Sequence, residues 1–154
     1  MSEMTITMHG EDEMKTLGSK LGALFTGGEV IELVGDVGAG KTTLAKGIAK
    51  GLGVDEAVQS PSFTISRVYT TASDLRLAHY DFYRLNDPGI MISELDETLR
   101  DPQTVTLIEW AEIVSGVLPE DHITVQIVSP TETTREVSFR AGGPKSEMIV
   151  KALA

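Results

Sequence analysis

Apolar and polar residues alternate along the chain with two periods, and the switches between them mark out the elements. Residues 5–9 (TITMH) alternate as a short strand. Met14, Leu17, Leu21, Leu24 and Phe25 then recur at helical spacing up to Gly27 and Gly28, which predicts an amphipathic helix with a glycine stop. VIELV (30–34) is a continuous apolar strand that runs straight into Gly35. Beyond a glycine-rich stretch, Leu44, Ala45, Ile48, Ala49 and Leu52 make one face of a second helix that stops at Gly53.

In the second half, SPSFTISRVYTT (60–71) reads as extended and LRLAHYDFY (75–83) as a strand. NDPGIMISELDETLRDP (86–102) predicts a helix with an irregular start, and TVTLIEW (104–110) a buried strand. ITVQIV (123–128) and REVSF (135–139) alternate around the turn-like SPTETT, which predicts an antiparallel hairpin. PKSEMIVKALA (144–154) closes the sequence as a helix, with proline suited to its first turn. Strand–helix–strand units favour parallel pairing and hairpins require antiparallel pairing. The expectation is therefore one α/β domain over residues 1–154, a mixed β-sheet flanked by helices, ending in an antiparallel hairpin and a final helix.

Composition narrows the function. The 154 residues hold 41% hydrophobic and 23% charged residues, ordinary for a globular domain with one core. No apolar run is long enough to span a bilayer. The acidic N-terminal stretch lacks the layout of a signal peptide, and there is no cysteine for a disulfide, a thiolate metal site or a thiol nucleophile. A cytoplasmic, membrane-free protein is expected. The net charge is −10, and no lysine occurs between Lys50 and Lys145, so the basic stripe of a direct nucleic-acid binder is missing. The acidity reads as solubility or, more sharply, as a match to a partner with a basic docking surface.

The chemistry concentrates in GDVGAGKTT (35–43), a G-x-x-x-x-G-K-[ST] loop between a strand and a helix. Gly35, Asp36, Val37, Gly38, Ala39 and Gly40 would wrap phosphates with backbone N–H groups. Lys41 would bring a positive charge to the β- and γ-phosphates, Thr42 a hydroxyl to Mg²⁺, and the helix N-terminus a favourable dipole. Phosphate chemistry of this kind also needs an acid close to the metal. Glu109, emerging from an apolar strand, is one candidate. Asp81 is the other; period-2 geometry sets it on one face with His79 and Tyr83, while Tyr80 and Phe82 face packing. Ser60, Ser62 and Thr64 are candidate hydroxyls for sensing the γ-phosphate, or simply a Ser/Pro turn. Trp110, the sole tryptophan, reads equally as a core plug or a rim contact. His9 and His122 have no spacing for a metal. The guanine-reading N-K-x-D motif is absent, so ATP is the expected nucleotide.

In order, GDVGAGKTTLAKG, SPSFT, HYDFYRL with a following DP, and LIEW with GVLPED resemble the bacterial TsaE (YjeE) family across most of the chain. These are small P-loop ATPases required for threonylcarbamoyladenosine in tRNAs that read codons beginning with adenine. The resemblance implies that Lys41 and the glycines hold phosphates, with Thr43 nearby, and that Thr42 and Glu109 hold Mg²⁺. It implies that Asp81 serves hydrolysis beside the γ-phosphate, that Trp110 marks the adjoining surface, and that Arg135 approaches the nucleotide. It further implies an accessory ATPase that docks on the TsaB–TsaD pair, meets tRNA only through those partners, and resets the complex by hydrolysis. Ser62 departs from the family's usual threonine, and GIMISELDE from its acidic run. A small-molecule kinase and a non-catalytic, nucleotide-gated scaffold are the competing readings.

Overall fold

The computed structural model describes residues 3–36, 38–59, 61, 65–83, 85, 87 and 89–154, the side chain of Ile90 excepted. The elements run β1 (Glu3–His9), α1 (Glu11–Ala23), β2 (Val30–Val34), α2 (Lys41–Gly51), β3 (Ser66–Thr70), β4 (Arg76–Asp81), α3 (Gly89–Arg100) and β5 (Thr104–Glu109). A 3₁₀ helix (Ala111–Val117), β6 (Ile123–Val128), β7 (Thr134–Ala141) and α4 (Pro144–Leu153) complete the chain. Seven strands form one sheet in the order β1-β7-β6-β2-β5-β4-β3. The expected mixed α/β architecture, with a C-terminal hairpin and closing helix, is what the chain adopts.

The four central strands, β6, β2, β5 and β4, are mutually parallel, and β1, β7 and β3 are added antiparallel at the two sides. β2, β4 and β5 are buried along most of their length because helices cover both faces of the sheet there. One face packs Ile31, Leu33, Leu107 and Val125 against Leu17 and Leu21 of α1, Leu44 and Ile48 of α2, and Ile149 of α4. The opposite face packs Val30, Tyr80, Phe82 and Ile108 against Leu95 of α3 and Val114 of the 3₁₀ helix.

Helices α1 and α2 lie backbone to backbone. Gly18 and Gly22 on α1 face Gly47 and Gly51 on α2, four residues apart on each helix and hence on one face. A Cβ at Gly18 would stand 2.6 Å from the carbonyl oxygen of Leu44 and 2.9 Å from the Cα of Gly47. A Cβ at Gly22 would run into the carbonyl of Ile48, and one at Gly47 into that of Lys15. This contact fixes α2, and with it the loop that precedes α2, against the rest of the domain.

At the chain's end, Pro144 opens α4 and Asp121 receives the backbone N–H groups of Lys145 and Ser146, at 3.0 Å each. Burial pushes the Asp121 carboxyl up, but these hydrogen bonds outweigh it and hold the group below its ordinary range. Lys145 reaches back to the Gly27 carbonyl at 2.6 Å, tying α4 to the turn that launches β2.

Candidate functional site

Because β2, β4, β5 and β6 run the same way, their C-terminal ends open on one edge of the sheet, where ligands bind in open α/β folds. The register sets Leu33, Glu109 and Asp81 side by side on adjacent strands. Gly35 and Asp36 leave β2 at that edge, and Gly38, Ala39 and Gly40 lead into α2. Gly38 (φ 86°) and Gly40 (φ 110°) take the left-handed conformation that side chains disfavour. The Ala39 N–H donates to the Asp36 carbonyl at 3.0 Å, and the Leu44 N–H to the Gly40 carbonyl at 3.0 Å, so the turn passes directly into helix.

The loop is anchored from the C-terminal hairpin. Arg135 Nε donates to the Ala39 carbonyl at 3.0 Å, and its Nη1 to the carbonyls of Thr131, Glu132 and Thr134 at 3.2, 3.3 and 2.8 Å. The guanidinium thus binds backbone, bracing the loop against the hairpin tip. Two hollows flank the loop. One, of about 550 Å³, lies between Gly35, Asp36, Lys41, Trp110 and Gln126. The other, of about 460 Å³, lies between Gly10, Gly40, Thr43, Thr133 and Arg135.

Among the described residues, Lys41, His79, Asp81 and Glu109 are polar side chains buried at this edge. Lys41, the first residue of α2, sits 6% exposed, with Nζ 3.9 Å from Glu109 Oε1 and 4.1 Å from the centre of the Trp110 ring. The indole face and the carboxylate offset part of the cost of taking this ammonium out of water. The other Glu109 oxygen, Oε2, is 2.7 Å from His79 Nε2. Asp81 Oδ1 accepts the Tyr83 N–H at 3.0 Å, shaping the turn after β4.

The structure therefore brings together Lys41, Glu109, Asp81, Trp110 and the described loop residues. Thr42 and Thr43 follow in the first turn of α2, half-buried. Trp110 is a rim residue: half-buried, in the left-handed region (φ 58°), with the exposed Tyr83 ring 4.8 Å away. Tyr80 and Phe82 pack as expected, and His79 and Asp81 share the opposite face. Val37, Ser60, Ser62 and Thr64 lie outside the described residues. Sequence reading placed His79 beside Asp81 without giving it a task; the alternation of HYDFY was the available signal. His9 pairs with Glu13, and His122 sits 3.5 Å from Glu32. The Glu32 carboxylate holds His122 above its ordinary value, burial pulling the other way.

The site's fit to a nucleotide and a metal rests on these observations. A loop with two left-handed glycines leaves its backbone uncovered for a phosphate; among the described residues beyond its chain neighbours, nothing lies within 4 Å of where a Cβ of Gly38 would stand. Among the described residues, no group of three or more His, Asp or Glu side chains is arranged around a metal position. Mg²⁺ asks for less: one or two protein oxygens suffice when phosphates and water complete its shell. The Thr42 hydroxyl and the Glu109 and Asp81 carboxylates are oxygens of that kind at this edge. No helix among the described residues is long and apolar enough to cross a membrane.

Comparison with known proteins shows the family. Residues 8–137 match the family model described as threonylcarbamoyl adenosine biosynthesis protein TsaE. The tRNA threonylcarbamoyladenosine biosynthesis protein TsaE of Bacillus subtilis is 38% identical over 143 residues, covering 93% of this chain and 89% of that protein. The protein of the same name from Streptomyces coelicolor is 39% identical over 115 residues, covering 74% and 78%. The crystal structure of Bacillus subtilis YdiB superposes with a TM-score of 0.84 at 33% identity, over 99% of this chain and 94% of that one. With a family match over most of its length and a fold shared with a solved relative, this chain belongs to the TsaE family of threonylcarbamoyl adenosine biosynthesis proteins.

Proposed function

We propose that the whole chain works as a single P-loop ATPase domain that binds ATP with Mg²⁺ and serves tRNA threonylcarbamoyladenosine formation as an accessory to a TsaB–TsaD complex in the cytoplasm. The observation that carries the reading is the buried Lys41 ammonium at the exit of the glycine loop, 3.9 Å from the Glu109 carboxylate. Gly35, Asp36, Val37, Gly38, Ala39 and Gly40 would embrace the phosphates, and Lys41 would exchange its carboxylate neighbour for phosphate oxygens. Thr43 would adjoin the same phosphates. Thr42 and Glu109 would hold Mg²⁺, which would supply positive charge beside the phosphate oxygens when bound. Asp81, buried at the neighbouring strand end, would orient the attacking water. Trp110 and Tyr83, in tilted ring contact at the rim, would shield the Lys41 side of the site from water.

A chain with a net charge of −10 suits a component that leaves tRNA to its partners. In that assembly, ATP binding would favour docking and hydrolysis would release the complex for another round. The test is reconstituted tRNA modification with TsaB and TsaD, comparing wild type with Glu109→Ala, together with a pull-down with and without ATP. Wild type is expected to support repeated rounds and Glu109→Ala a single one. Equal repeated turnover by both would leave the chain a nucleotide-gated scaffold, and a phosphorylated small-molecule product would make it a kinase.

A further inference from the structure

His79 has no part in the phosphate chemistry set out above, yet it is the most completely enclosed polar side chain at the site, at 0% exposure. Its Nε2 lies 2.7 Å from Glu109 Oε2, and among the described residues its Nδ1 has no hydrogen-bond partner. A carboxylate only accepts, so this short contact puts a ring hydrogen on Nε2, while Nδ1 is left without a partner among the described residues. Stability alone does not favour that arrangement. An unpartnered buried nitrogen costs about 1–3 kcal/mol, and apolar residues of similar volume often replace buried polar pairs at no loss.

The arrangement does divide the two oxygens of Glu109. Oε2 is bonded to His79, and Oε1 faces the Lys41 ammonium at 3.9 Å. The lysine contact is long and, on the reading above, is given up when Lys41 turns to phosphate. The histidine contact is short, buried and independent of the loop. It also depends on register: β4 and β5 pair His79 with Leu107 and Asp81 with Glu109, so the imidazole reaches diagonally to the next residue on the same face.

We propose that His79 is a positioning residue for the nucleotide chemistry of this site. Its Nε2–H clamps Glu109 Oε2, so that Oε1 stays turned to the phosphate loop after Lys41 has moved to the nucleotide. The inference rests on the ATPase reading above. His79→Leu deletes the donor while keeping an apolar side chain in the layer, and His79→Gln restores an N–H at comparable reach. With partner proteins present, His79→Leu is expected to lower kcat about 10–100-fold, the range for outer-shell partners of catalytic ligands. KM and calorimetric nucleotide affinity stay close to wild type, and His79→Gln recovers most of the loss. Long-range proton–nitrogen NMR correlations are expected to find the ring hydrogen on Nε2, both without nucleotide and with a non-hydrolysable ATP analogue and Mg²⁺.

Equal kcat for wild type and His79→Leu overturns the proposal, as does a ring without a hydrogen on Nε2 in either state. If His79→Leu does not fold, His79→Gln and the ring spectra decide, with near-wild-type kcat and an Nε2–H ring as the supporting outcome. If wild type itself turns over no ATP with its partners, the ATPase reading fails. The ring spectra then judge the clamp separately: an Nε2–H ring that persists with the analogue keeps it, and any other tautomer removes it.

Discussion

Replacing Gly18 by alanine sets helix propensity against helix packing. In the middle of α1, alanine is favoured over glycine by about 1 kcal/mol, and a helix judged alone would gain. The new methyl would stand 2.6 Å from Leu44 O, 2.9 Å from Gly47 Cα and 2.9 Å from Ile48 N. All three are backbone atoms of α2, which cannot swing aside as a side chain can. Reaching an ordinary carbon–oxygen separation of about 3.4 Å requires the helices to part by roughly 0.8 Å. Overpacking of this kind costs about 1–3 kcal/mol, to which the loosened contacts of Leu17, Leu21, Leu44 and Ile48 add. The net expectation is a destabilisation of about 2 kcal/mol, or a fall in Tm of about 4–8 °C for a domain of this size. Thermal unfolding followed by circular dichroism measures it. Gly116→Ala is the control, since nothing lies within 4 Å of its new Cβ; its Tm should hold or rise. A Tm for Gly18→Ala at or above that of wild type would mean that α1 and α2 are not held at backbone contact, and the packing account would be wrong.

Four further outcomes follow from the site. Lys41→Met keeps the stem packed on Trp110 but removes the charge; calorimetry should show ATP affinity lower by at least about 30-fold, the worth of a charge-assisted contact, and unchanged affinity would refute the phosphate role. Asp81→Asn keeps an acceptor for the Tyr83 N–H, so the turn should survive while partner-stimulated hydrolysis falls about 100-fold; equal rates would acquit Asp81. Arg135→Ala removes the donor to the Ala39 carbonyl and should weaken nucleotide binding about 5–10-fold, the worth of one hydrogen bond, with the rate at saturation nearly untouched; a rate effect without an affinity effect would count against loop bracing. His122, raised by Glu32, contributes stability that is fully present below its unfolded value of about 6.5 and is lost as pH rises through the higher folded value. Glu32→Gln should therefore cost up to about 1 kcal/mol in urea melts below pH 6, and much less near pH 9; a cost independent of pH would exclude the ion pair as its source.

Local order was legible because it is written in adjacent residues. VIELV, the glycines after it and the face Leu44-Ile48-Leu52 are contiguous, so strand, loop and helix followed from one stretch. The alternation of 123–128 with 135–139 likewise contained its own partner. Pairing of β3 with β4 was not legible, since TASDL carries no hairpin dipeptide such as Asn-Gly to announce the turn. The 3₁₀ helix after β5 and the left-handed Trp110 were hidden because tertiary packing, not local preference, holds Trp110 under Lys41. The His79–Glu109 bond was invisible for a different reason. It exists only because β4 and β5 are neighbours in a given register, and sheet order is not written in either strand. Glycines 18, 22, 47 and 51 were visible, but their meaning needed the knowledge that α1 and α2 touch.

The place of β2 in the sheet has a consequence for the birth of this protein. The strand that carries the phosphate loop is made early, yet its two neighbours come from residues 104–109 and 123–128. At ribosomal rates of about 5–20 residues per second, roughly 5–20 s separate the synthesis of β2 from that of its last neighbour. During that interval Lys41 has neither Glu109 beside it nor Arg135 bracing its loop. A nascent chain is thus expected to be blind to ATP until its C-terminal hairpin is out, when the nucleotide site and the domain core close in the same event. Long-range parallel pairing of this kind also makes for slow folding, so nucleotide, by binding only the finished site, would act on newly made protein as a late stabiliser and not as a nucleus.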